Sequence, residues 1–109
     1  SNKSITYICK NLTSNALRLD ISSNVVKDKH IQSLVERCKN LQHLDLSETK
    51  VTYKSVTTIV TALSHSIESL SFPNSVGMEI GLPNYVSMEF SSLVKSKMTK
   101  LENLHIALH

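Results

Sequence analysis

The chain has 109 residues, 40% of them hydrophobic and 19% charged, with 12 Lys and Arg against 9 Asp and Glu for a net charge of +3. That is enough chain for one domain with a moderate core. The composition excludes a disordered polar tract, and with no apolar run near the roughly 20 residues that cross a bilayer it excludes a membrane-spanning helix. Two cysteines are too few for a disulfide scaffold of this length. No basic leader with an apolar core precedes Ile5, so an intracellular compartment, cytoplasmic or nuclear, is expected.

Taken in chain order, Ile5, Ile8, Cys9 and Leu12 recur at i, i+3, i+4 and i+7, the stripe of a helix with one buried side. Leu19-Asp20-Ile21 then alternates with period two, which predicts a short strand with one covered face. The pattern starts again at Ile31, Leu34, Val35 and Cys38, with Asp28 placed to cap the helix, and Leu44-Asp45-Leu46 follows as a strand. Val56, Ile59, Val60 and Leu63 form a third stripe, with Thr52 or Ser55 as its cap, before Leu70-Ser71-Phe72. Phe90, Leu93 and Val94 begin a fourth; there Lys97 departs from the pattern and Met98 supplies the apolar contact, ahead of Leu104-His105-Ile106. Leu19, Leu44 and Leu70 are 25 and 26 residues apart, and Leu104 comes 34 after Leu70.

A single strand–helix unit cannot bury both of its apolar faces, so successive units must stack. The spacing of Leu41, Leu44, Leu46, Thr49 and Val51 resembles the leucine-rich-repeat consensus. That resemblance implies an α/β fold, a short right-handed leucine-rich-repeat solenoid of about four repeats near 5–26, 27–51, 52–76 and 77–109. Parallel strands would line its concave face and helices its convex face. Gly77 and Gly81 are the only glycines, so the Gly-rich phosphate loop of a doubly wound dinucleotide fold is missing.

In such an array the residues between the strand leucines form the docking surface. Here they are Arg18, Asp20 and Ser22, then His43, Asp45 and Ser47, then Ser69, Ser71 and Pro73, then Asn103, His105 and Ala107. Asp20 and Asp45 have two readings, as part of an ionic binding patch with Arg18 and His43 or as groups that simply satisfy loop amides or a neighbouring Arg18. The connection from Val76 to Phe90 is longer than its counterparts. Its Met78, Ile80, Leu82 and Tyr85 either present an apolar contact to a partner or fold back over the sheet end as local core.

Cys9 and Cys38 fall on helix core positions and act as small hydrophobes. His105 and His109 lie four apart in a strand and terminus, where that spacing does not converge on an ion, so no metal and no cofactor is expected. No nucleophile–base set or carboxylate pair is recognisable, and no catalytic residue is assigned. The lysines are spread over helices and loops, densest at Lys95, Lys97 and Lys100, and no aromatic platform accompanies them, which argues against nucleic acid.

The run from Ser33 to Ser47, SLVERCKNLQHLDLS, resembles the cysteine-containing leucine-rich repeats of F-box substrate receptors of the S-phase kinase-associated type. The resemblance implies a non-catalytic protein-interaction module, the substrate-recognition repeats of a ubiquitin ligase receptor. Its partner would be a protein or peptide, with an acidic one matching the basic net charge. The alternative is an assembly element that self-associates through its C-terminal edge strand, because Leu101 to His109 forms an apolar strand with no polar cap after it.

Overall fold

A computed structural model describes residues 14–106. Among the described residues, four strands form one parallel sheet in the order β1-β2-β3-β4: Arg18–Asp20, His43–Asp45, Ser69–Phe72 and Asn103–Ile106. Parallel neighbours need a crossover, and here the crossovers are helical: α1 (Asp28–Arg37), α2 (Tyr53–Leu63), and the pair α3 (Asn74–Glu79) and α4 (Met88–Lys97). The stripe expected at Ile5, Ile8, Cys9 and Leu12 lies outside the described residues, as do Ala107 and His109.

Register is uniform across the sheet. Arg18 pairs with His43, His43 with Ser69 and Ser69 with Asn103, while Leu19, Leu44, Leu70 and Leu104 form the adjacent row. The leucine row faces the helices: Leu44, Leu70 and Phe72 join Ile31, Leu34, Val35, Val56, Ile59, Val60 and Leu63 in one core. Since side chains alternate along a strand, the row of Arg18, His43 and Ser69 and the row of Asp20, Asp45 and Ser71 face the other way.

The units are joined by repeated backbone bonds. The carbonyl just before each strand accepts two N–H groups from the next: Leu17 from Gln42 and His43, Gln42 from Glu68 and Ser69, and Glu68 from Glu102 and Asn103. The turns after β1 and β2 match as well. Ser23 and Glu48, 25 positions apart, both take left-handed backbone conformations at φ 59° and 56°, and the Ser23 hydroxyl donates to Glu48 Oε2 at 2.6 Å.

Asp28 does not cap its own helix. The N-cap of α1 is Lys27, whose N–H donates to His30 Nδ1 at 2.9 Å. Asp28 instead reaches the next unit, accepting from the N–H of Thr52 (2.9 Å), the hydroxyl of Thr52 (2.8 Å) and the hydroxyl of Ser55 (2.5 Å). Thr52 is the N-cap of α2, its side chain accepting from Lys54 N–H. One carboxylate therefore ties the start of one helix to the start of the next, meeting donors that a helix leaves without intrahelical partners.

The fourth unit is in a different register from the one expected. Helix α4 repeats α1 at a constant offset of 60: Met98 occupies the C-cap as Cys38 does, its N–H donating to Val94 where that of Cys38 donates to Leu34. Val94 thus matches Leu34 rather than Val35, and Lys97 matches exposed Arg37, so Lys97 is no departure from the pattern. Phe90 takes the place of His30, and Met98, 4% exposed, lies in the core.

The long connection before α4 is not a projecting loop. It begins with α3, buries Val76 and Ile80, and turns at Gly81, whose φ of 103° is readily adopted only by glycine. A Cβ there would lie 2.7 Å from the Tyr85 ring.

Candidate functional site

The polar face of the sheet carries Arg18, Asp20, His43, Asp45, Ser69 and Ser71 around a shallow depression of about 340 Å³. In-register pairing sets these residues in two rows, Arg18, His43 and Ser69 in one and Asp20, Asp45 and Ser71 in the next. Neighbouring strands are about 4.8 Å apart, so one ligand group can touch two strands at once.

The two carboxylates are fixed by the same device. Asp20 Oδ1 accepts from the N–H of Ser22 at 2.9 Å and its hydroxyl at 2.6 Å; Asp45 Oδ1 accepts from the N–H of Ser47 at 3.0 Å and its hydroxyl at 2.6 Å. Ser22 and Ser47 are therefore committed to the turns. The hydrogen bonds from the Ser22 hydroxyl and amide hold the Asp20 carboxyl below its ordinary pKa. Of the two readings of these aspartates, loop satisfaction is realised, and it leaves each carboxylate rigidly oriented on an open face.

Asn103 and His105 extend the two rows onto β4 and are exposed. Pro73, expected on this face, is buried as the N-cap residue of α3, because the chain turns into that helix directly after β3. One cation, Arg18, stands against two carboxylates, so the net positive charge of the chain does not reside here.

The four apolar residues of the long connection separate. Met78 and Tyr85 are 67% and 66% exposed, Leu82 is half-buried against the core, and Ile80 is 2% exposed. Ile80 is core and cannot contact a partner, and the Tyr85 ring lies back over Gly81.

Sequence reasoning missed two features. A cleft of about 510 Å³ runs between α1 and α2 past Gln32, Glu36, Lys39, Thr57, Thr58 and Thr61. Its walls are the solvated sides of two packed helices, and the hydroxyls of Thr57 and Thr58 already donate to the Lys54 carbonyl. The second is an apolar groove of about 390 Å³ between α4, the long connection and β4. The apolar run from Leu101 to Ile106 signalled an exposed strand there, but the groove's opposite wall comes from distant residues.

Cys38 is fully buried, and burial pushes its thiol above the ordinary pKa against the opposing pull of Arg37. Such a thiol is poorly suited to nucleophilic work. Among the described residues no three His, Cys, Asp or Glu side chains gather as a metal site, and no helix is long and apolar enough to cross a membrane. No protein-family model and no curated protein sequence matches the chain.

Proposed function

We propose that the chain is a section of a leucine-rich-repeat solenoid acting as a non-catalytic protein-interaction module, with the polar sheet face as its binding surface. The observation that carries this reading is the in-register polar face. Its Arg18, His43, Asp20 and Asp45 stand side by side, and among the described residues the helical layer packs on the opposite, leucine side. The likeness of residues 33–47 to the repeats of F-box substrate receptors supports an intracellular role in presenting a protein to a ubiquitin ligase. Mixed charge on the face favours a partner segment with an acidic side chain over Arg18 and His43 and a donor or basic group over Asp20 and Asp45.

Selection of peptides from a displayed library on the immobilised chain tests the reading. Arg18→Glu or His43→Ala should weaken the selected ligands by about tenfold or more, whereas Lys39→Glu beside α1 should leave affinity unchanged. Ligands that tolerate both face substitutions and lose affinity with Lys39→Glu would place recognition on the helices and overturn it.

A further inference from the structure

Register and alternation give the polar face a charge pattern with a direction. Arg18 and His43 stand opposite one another in the first row, Asp20 and Asp45 in the second. Across the strands, donor thus neighbours donor and carboxylate neighbours carboxylate. Along each strand, the character changes from donor to anion. β3 continues the rows with the neutral hydroxyls of Ser69 and Ser71, which confines the charged pattern to β1 and β2 among these three strands.

Two distances set the shape of a complementary ligand. Neighbouring strands are about 4.8 Å apart, and one ammonium donating two bonds of about 2.8 Å at a tetrahedral angle spans about 4.6 Å between its acceptors. A single basic head can therefore serve Asp20 and Asp45 together, offsetting the repulsion of like charges directly opposite one another. Both carboxylates are presented alike, with Oδ1 engaged by Ser22 or Ser47 and Oδ2 outside those bonds. Arg18 takes no part in them and is exposed, so its guanidinium and the His43 ring can receive a ligand carboxylate in the same bridging manner. Along the strands the two rows lie two residues apart, about 6.6 Å. An extended peptide rises at the same rate, which keeps its residues i and i+2 in step with the rows, whereas i and i+4 on a helix are about 6.0 Å apart along the axis.

With the polar face as the binding surface, a reading on which this rests, the geometry points to a ligand of one kind: an extended peptide laid along β1 and β2, carrying an acidic residue and a Lys or Arg two positions apart in either order. Arg18 and His43 receive the acid; Asp20 and Asp45 receive the base. Selection then depends on both the signs of the two charges and their spacing.

Random peptides selected on the unaltered chain, sequenced and remade synthetically, test this. The selected sequences should carry an acid and a base two apart, a result that depends on no variant folding. Replacing the ligand's Lys or Arg by Gln should weaken binding to the unaltered chain about tenfold. The same replacement should matter less than about twofold with the double variant Asp20→Asn, Asp45→Asn, whose amide oxygens still accept from Ser22 and Ser47 and keep the turns. Thermal unfolding confirms that the double variant is folded. Ligands that lose affinity with Arg18→Glu, yet lack the pair or place it four apart as on a helix, would leave the face as the binding surface and overturn this specificity. Ligands indifferent to Arg18→Glu would overturn both readings, as would a library that yields no binder.

Discussion

Asp28 is the residue on which the junction between the first two helices turns. Burial would raise its pKa, but hydrogen bonds from Ser55, the Thr52 amide and the Thr52 hydroxyl, helped by the charge of Lys54, win and hold it below the ordinary 3.8. Asp28→Ala should cost about 1–3 kcal/mol in urea unfolding at neutral pH, the range for losing a helix cap and orphaning its donors. His30 titrates in a higher window. Burial, with Lys29 and Lys27 nearby, keeps the imidazole below its ordinary 6.5. A depressed pKa means that the unfolded chain takes up protons first. Stability from His30 is thus complete above pH 6.5 and falls as the pH drops through its folded pKa; that from Asp28 behaves likewise from 3.8 downward. Urea midpoints should therefore decline from pH 7.5 to 5.5, less in His30→Gln than in the unaltered chain. Tyr53 is the opposite kind of residue. Its hydroxyl is buried without a hydrogen-bond partner among the described residues, its ring meeting Phe90 edge-on at 6.3 Å. Tyr53→Phe should be neutral or stabilising by up to about 1 kcal/mol, because it removes a desolvated polar group and keeps the packing.

The elements were largely legible because each is amphipathic with its own period. The leucine spacing located the strand row and the helix stripes of α1 and α2, and the alternation within each strand placed Arg18, His43, Asp20 and Asp45 on one face. What was not legible lies where units differ. The sequence reading of α4 is one residue off because Phe90 is apolar like Ile31, yet it sits at the site of His30; the N-caps Lys27 and Ser87 and the C-caps Cys38 and Met98, each pair 60 apart, fix the match. Met98→Ala should cost about 2–4 kcal/mol, as for truncating a buried methionine, while Lys97→Ala should stay within about 0.5 kcal/mol. The sequence reading also gives Met98 the apolar contact; the structure adds that Lys97 falls on the outward position that Arg37 holds in α1. The α3 segment was opaque for a different reason. It is short, contains Gly77, and takes its helical form by burying Val76 and Ile80 against a core assembled from elsewhere, which local pattern cannot reveal. At its end Gly81→Ala should destabilise by about 1–2 kcal/mol, since the new Cβ meets both the unfavourable φ and the Tyr85 ring.

On the scale of the molecule, the sheet has one apolar side, one polar side and two ends. The leucine side is filled by helices, so it has stability as its task. The polar side is held in register by the backbone bonds between units and by paired aspartate–serine turns, and its groups are ordered before any ligand arrives. Such pre-ordering lowers the entropic cost of binding. The central claim is that recognition takes place on that side. The most direct measurement is amide chemical-shift mapping of the labelled chain titrated with a selected peptide ligand. Shifts concentrated at residues 18–20, 43–45 and 69–71, with the outer surfaces of α1 and α2 unmoved, are the result expected. Shifts clustered on Gln32, Glu36, Lys39, Thr57 and Thr61 instead would contradict the account and move the binding surface to the helices.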